Sequence, residues 1–467
     1  MIAPEVSSLE RRPPPVLAIG ISGQSDLAIT GPTADLVTAR LNDLFARLAI
    51  ALKTAIASEA DFFAPTTPTM RLVSLSASGA GSFAIRAARA HGDEVGYVLP
   101  FPLAEYRHDF SSEEEFGAFK ADIAGAGSAF VLPGTHCEGA RAYERAYEVI
   151  LANVDILVAV WDGERAKGAG STGDVVQATA ARGLPVIVIP PDEAVAPYLL
   201  TRPDENMLAA PTDLVATPLV LDLTDILAAQ LLPPHGTTKR QGLLDFMSEA
   251  PSQHNLRHEY SILLRAFGAT GPRPPNPPPN RGAETPELAS RFSAIEPLVG
   301  WIDELANHYA LRYRSSVTSE FLIIIISAFV AALVMLTFPN ITGSSVFAQT
   351  AIGALVIIDV AVRSKQRWQE RWLDYRLIAE RLRCLRFLHP LGRTLSFASP
   401  FARGPGLTWV DWYFRRFERA LGVHGAEMTS ACVDAAWRQL SDFDIPGQIA
   451  YHRRAFMRFN ILERRMS

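Results

Sequence analysis

Cysteine is scarce: the 467-residue chain has three. Cys137, Cys384 and Cys432 lie far apart and form no CxxC pair, so neither a disulfide framework nor a cysteine-based zinc site is expected, and a reducing compartment suits the chain. No HExxH, no other metal motif and no Ser/His/Asp constellation is present, which removes the common hydrolytic mechanisms. The opening stretch "MIAPEVSSLERRPPP" has no apolar core segment and is not read as a secretory signal. Basic tails of the kind that grip nucleic acid are also missing, and the formal net charge is only −5. Nucleic acid is therefore not an expected partner.

Charge is absent altogether from "FLIIIISAFVAALVMLTF", residues 321–338. As a helix this run reaches about 27 Å, close to the roughly 30 Å of bilayer hydrocarbon. A second uncharged run, "VFAQTAIGALVII", covers 346–358, and the "PNITGSS" between the two holds no charge. Arg312 and Arg314 precede the first run, while Arg363, Lys365, Arg367, Arg371 and Arg376 follow the second. By the positive-inside rule this reads as a transmembrane hairpin, with helices at about 319–338 and 346–363 and both termini cytoplasmic. A buried hairpin in a large soluble domain is the alternative. Asp359 either reaches the headgroup region or faces a partner helix. From Glu284 onward 22 basic residues stand against 17 acidic ones, which suits an anionic cytoplasmic leaflet and leaves the first part acidic.

Before the hairpin, short apolar runs alternate with helical patterns, the mark of a parallel sheet covered by helices. Strands are expected at "VLAIGIS", "RLVSLS", "VGYVLP", "SAFVLP", "DILVAVW" and "PVIVIP", with a further one at "PLVLDL" near Leu219. Helices are expected at about 34–58, 81–91, 113–125, 139–153 and 173–182. The fold class is thus α/β, a doubly wound, mostly parallel Rossmann-like sheet over residues 14–270, followed by an all-α membrane domain over 284–467. Between them the proline-rich 271–283, "GPRPPNPPPNRGA", reads as an extended linker. Past the hairpin, Trp368, Trp372, Tyr375, Ala379, Leu382 and Leu385 recur at helical spacing. That stripe serves either to pack on the helix before the hairpin or to join subunits.

Three glycine-bearing loops follow predicted strands and project from the carboxyl edge of such a sheet, where ligands bind. The first holds Gly20, Ser22 and Gly23, and the second Gly79, Gly81 and Ser82. The third holds Asp162, Gly163, Gly170, Ser171, Thr172 and Asp174. Glycines opening a helix offer free amides and the positive dipole end to an anion. Each loop alone is equally a plain turn; their convergence favours a binding site. Asp162 either accepts ribose hydroxyls or caps its turn.

The order "VLAIGISG", "LVSLSASGAG", "VLPFPLAEYRHDF", "AYERAYEVILANVDILVAVWDG", "GAGSTGDVVQATAARGLPVIVI" resembles the SLOG superfamily, whose Rossmann-like fold includes the DNA-processing family and cytokinin-activating phosphoribohydrolases. This resemblance covers roughly residues 14–200 and implies a nucleotide ligand. Relatives carry Gly-His-Arg and Glu-Gly-Ala-Asp where this chain has Gly23-Gln24-Ser25 and Ser78-Gly79-Ala80-Gly81. Family hydrolases place a glutamate three residues after the threonine of the last loop; here that position is Val175 and the acid is Asp174. The segments "LANHYALRYRSS", "RWQERWLDYRLIAERLRCLRFL" and "GQIAYHRRAF", over about 290–460, resemble SLATT domains, two-helix membrane effectors found with SLOG sensors in bacterial conflict systems.

Together these readings predict an inner-membrane, multi-pass effector that binds a nucleotide or nucleotide-derived signal, forms a homo-oligomer and permeabilises the bilayer in antiphage-type defence. No metal and no cofactor beyond that ligand are expected, and no catalytic residue. Two alternatives are a membrane-tethered N-glycosidase or transferase acting through Asp174, and a structural membrane protein with a degenerate pocket.

Overall fold

The computed structural model describes residues 11–23, 30–75, 79–110, 112–164, 168, 170–201, 214–219, 222–250, 257–269, 286–337, 342–394 and 408–466. The proline-rich linker, Gln24 and Ser25 of the first glycine motif, Ser78 of the second and the hairpin tip at 338–341 lie outside them. Nine strands make one sheet: β1 Val16–Gly23, β2 Thr69–Ser74, β3 Glu94–Leu99, β4 Ser128–Val131, β5 Ile156–Val160, β6 Val186–Ile189, β7 Tyr198–Thr201, β8 Val215–Pro218 and β9 Ala426–Glu427. Their order is β8-β7-β6-β5-β1-β2-β3-β4-β9, parallel except where β7 and β8 run antiparallel at one edge. The helices are α1 Pro32–Ser58, α2 Ala80–Ala90, α3 Leu103–Tyr106, α4 Glu113–Ala124, α5 Ala140–Asn153, α6 Thr172–Ala181, α7 Thr224–Leu231 and α8 Thr237–Met247. They continue with α9 Glu259–Ala266, α10 Pro286–Thr337, α11 Thr342–Lys365, α12 Trp368–Leu388, α13 Trp409–Leu421, α14 Ser430–Arg438 and α15 Ile445–Met466.

The central strands are apolar throughout because both faces of a parallel sheet are covered. Leu17, Ile19 and Ile21 of β1 face a core shared with α1, α2 and α4. Ala18, one residue out of phase with that set, faces Ala146, Val149 and Ile150 of α5, and Leu157 and Ala159 face α6. Helices thus leave β1 and β5 toward opposite faces, and a crevice opens between their carboxyl ends, where such sheets bind ligands.

Six expected strands fall where the apolar runs lie. The seventh is displaced: β8 ends at Pro218, Val220 and Leu221 of "PLVLDL" lie outside the described residues, and the Asp222 carboxylate accepts from the Thr224 amide at 2.9 Å at the start of α7. β7 and β9 are short strands without a period of their own, β9 at one edge and β7 one place in from the other.

The segment after the linker does not build a separate core. Thr408 and Asp411 form a reciprocal capping box that starts α13. Trp412 then meets Phe62 and Phe63 edge-on and donates its Nε1–H to the Leu231 carbonyl at 2.7 Å. β9 pairs with β4. Leu298, Trp301, Ile302 and Leu305 of α10 share one core with β1 and α1. The linker therefore divides the sequence at 271–283 while the core runs across that division. The α12 stripe is spent inside the chain: Trp368, Tyr375, Ala379, Leu382 and Leu385 are buried, with α12 packed along α10 and α13.

Among the described residues one helix, α10, is long and apolar enough to cross a membrane. Its distal side chains Phe321, Ile325, Phe329 and Leu336 are exposed, Leu336 at 83%, an apolar surface of the kind that marks a partner or membrane contact. α11 packs beside it, and a second crossing at 346–363 is not shown among the described residues. At its base Asp359 turns inward, not to lipid: it accepts from Arg257 Nη1 at 2.9 Å and from the Ser316 hydroxyl. Arg363 pairs with Glu320 at 2.7 Å beside it.

Candidate functional site

β2, β1 and β5 are adjacent, so the three glycine loops emerge side by side at one edge. Gly23 ends β1 opposite Val160, and a Cβ there would sit 2.1 Å from the Ala80 Cβ. Only glycine lets the first turn of α2 close onto the strand. Gly79 caps α2 at φ 54°, a left-handed conformation that a side chain resists. Gly139 at α5 and Gly31 at α1 repeat it, at φ 52° and 55°. The first turns of α2 and α5 contain no acid, so their amides point outward without a local carboxylate to satisfy them. α6 starts within reach of α5: a Cβ on Gly170 would lie 3.1 Å from the Ala140 carbonyl. The edge is a ring of helix N-termini, suited to phosphate.

Not every predicted residue is available to a ligand. Gly20 sits in the body of β1, where its side-chain direction is filled by Ile150, Val154 and Leu157. Ser22 is buried and donates to the Tyr147 phenol oxygen at 3.2 Å, and burial pushes that phenol up from its ordinary pKa. The Ser82 hydroxyl donates back to the Gly79 carbonyl at 2.8 Å, while Gly81 lies in the first turn of α2. Asp162 accepts from the Glu164 amide at 2.9 Å, which is the turn-capping alternative. Asp174 accepts from the Gly170 amide at 2.9 Å, holding its own loop. Thr172 is buried, and the Ser171 hydroxyl is buried with no hydrogen-bond partner among the described residues. Gly163 takes φ 87° beside the Tyr198 hydroxyl, whose pKa is raised by burial and by Asp162.

Four aromatic and imidazole contributors went unnoticed in the sequence. His136 precedes α5 and donates its backbone N–H to Glu105 at 3.0 Å, with the His108 ring 5.3 Å from its own. Tyr147 lies under the crevice and Tyr198 at its rim. The "RHDF" and "THCE" segments follow β3 and β4, so the rule applied to the glycine loops would have found the histidines. Tyr198 gave no such signal, because it opens the four-residue strand β7 instead of following an apolar run.

A second polar centre joins the segment ahead of β1 and the end of α8 to α10 and α12. Buried Glu249 accepts from Tyr375 Oη at 2.7 Å, Tyr309 Oη at 2.9 Å and Arg371 Nη1 at 2.9 Å. Its backbone carbonyl accepts from Arg11 at 2.6 Å, and the Arg11 guanidinium lies 4.0 Å over the Trp301 ring. Burial, with Glu249 beside it, drives the Tyr375 phenol well up.

Residues 299–390, from within α10 to the end of α12, match the model of a family described as "Protein of unknown function (DUF4231)". Among curated proteins and solved structures none matches the chain.

Proposed function

We propose that the chain is a membrane-anchored effector that senses a nucleotide or nucleotide-derived signal at the carboxyl edge of its sheet and, as an oligomer, permeabilises the bilayer. In this reading α10 and α11 cross the inner membrane together and both termini stay cytoplasmic, with Arg312, Arg314, Arg363 and Lys365 at the inner face. One two-helix subunit is too thin to enclose a water path, so conduction needs several copies. The sequence resemblance to SLOG sensors and SLATT effectors is the support for a role in antiphage-type defence.

One observation carries the reading. The helix with the lipid-suited stretch shares one continuous buried core with the sheet, since Trp301 and Ile302 of α10 belong to the same apolar cluster as Leu17 and Ile19 of β1, and α12 and α13 lie between the two. A change at the sheet therefore has a packed route to the hairpin through α13 and α12, with Glu249 beside it. The test is dye leakage from liposomes carrying the full-length protein, with and without adenine and guanine nucleotides. Leakage should rise with one of them, and Glu249→Gln should bind that nucleotide as before while losing the response. Absence of leakage with every nucleotide, in preparations verified as oligomeric, would refute the proposal.

A further inference from the structure

Two helices at the end of the chain carry large apolar side chains outward. On α14, Val433 and Trp437 are spaced by four and are 42% and 64% exposed. On α15, Ile449, Phe456 and Phe459 fall on one helical face and are 45%, 64% and 65% exposed. Exposed apolar surface of this density marks a contact site.

The bilayer is out of reach for this surface. Tyr451 of α15 lies 5.2 Å under the Arg376 guanidinium, and Arg376 pairs with Asp303 at 3.6 Å. Eighteen helical residues separate Asp303 from Phe321, or about 27 Å of stem. The far end of α15 is held to the stem as well, through Arg465 bonded to the Phe267 carbonyl. α9 approaches that carbonyl from Tyr260, whose amide donates to Ser315, so the chain runs away from the apolar stretch. α15 thus crosses the stem well below the hydrocarbon.

The two faces differ in charge. Around the α14 pair exposed Asp434 and Asp442 stand with exposed Arg438, and around the α15 stripe exposed Arg453, Arg464 and Arg465 stand with exposed Glu463, so the first is net acidic and the second net basic. We propose that these faces are complementary halves of one contact: α14 of one copy docks on α15 of the next. Unlike patches joined head to tail generate a ring when the rotation closes, and the charge difference disfavours pairing of like faces. The contact deepens the proposed function, resting on it only for the need of several copies, and it puts the seam of the assembly in the cytoplasmic stem rather than in lipid.

The test uses full-length protein in detergent micelles with Cys137, Cys384 and Cys432 replaced by serine. Trp437→Cys and Phe456→Cys chains, co-expressed and oxidised, should cross-link to each other, and neither alone should cross-link to itself. Self-linking of either chain would show an isologous pairing and overturn the proposal. Phe456→Glu should weaken association by about thirtyfold, the loss of one aromatic anchor. The surface pair Asp434→Lys with Asp442→Lys should shift mass by native mass spectrometry toward single copies without touching the packed core. Unchanged mass in both, with no cross-link, would also overturn it. Because mass and cross-linking are read without leakage, a ring that forms but does not conduct refutes the proposed function and leaves the contact standing.

Discussion

The two edges of the sheet treat charge in opposite ways. At the amino edge, buried Asp155 accepts from Arg416 Nη2 at 2.6 Å, from Arg419 Nε at 3.1 Å and from the Ala18 amide at 3.1 Å, and α13 seals the strand ends. At the carboxyl edge, the strands end in glycines and helix N-termini whose amides face outward. One edge spends its polar groups on holding the chain together; the other leaves them for something else. Burial acts against the Asp155 carboxylate, but Arg416, Arg419 and the Ala18 amide more than offset it and hold its pKa below the ordinary carboxylate value. Asp155→Asn strands two buried guanidinium groups and should cost about 3–5 kcal/mol in chemical denaturation. Since the folded pKa is the lower one, the Asp155 contribution is complete above the unfolded value of about 3.9 and disappears as pH falls through the folded value. The variant should therefore flatten the acid limb of the stability profile. An unchanged limb would mean that α13 does not seal this edge through charge.

A smaller effect is expected where the open edge is tightest. Gly23→Val places a branched side chain where a Cβ alone would lie 2.1 Å from Ala80, so α2 must back away from β1. Overpacking of this kind costs about 1–3 kcal/mol. The informative readout is nucleotide retention by calorimetry, which should be lost at temperatures where circular dichroism shows the protein still folded. Retained binding would move the site away from the β1 crevice.

The open edge was far more legible in the sequence than the sealed one. Strands buried on both faces read as unbroken apolar runs, and glycine after such a run marks a loop wherever it falls, so β1 to β6 and the three loops stood out. The sealed edge is made by residues more than 250 positions apart, and no local period announces that Arg416 will meet Asp155. Arg416 and Arg419 of α13 are buried because Asp155 meets them, and nothing within the helix itself marks either as interior. Asp359 posed the same difficulty: its partner, Arg257, lies 102 residues earlier, across the undescribed linker. Gly20 erred the other way, since a glycine inside a strand pattern reads as a loop residue until α5 is seen packed against it.

The smallest effect separates binding from chemistry at the open edge. Asp174 is the catalytic candidate if the chain cleaves nucleotides, yet its carboxylate is committed to the Gly170 amide in the first turn of α6. An asparagine there keeps an acceptor oxygen and loses only the charge that complements the helix dipole, worth about 0.3–1 kcal/mol. Asp174→Asn should therefore lower thermal stability slightly and leave nucleotide affinity within a few-fold. Neither parent nor variant should release free base when incubated with nucleotides and followed by chromatography. Base release by the parent that vanishes in the variant would require the carboxylate to leave Gly170 for the sugar, and would make this edge a reaction centre rather than a receptor.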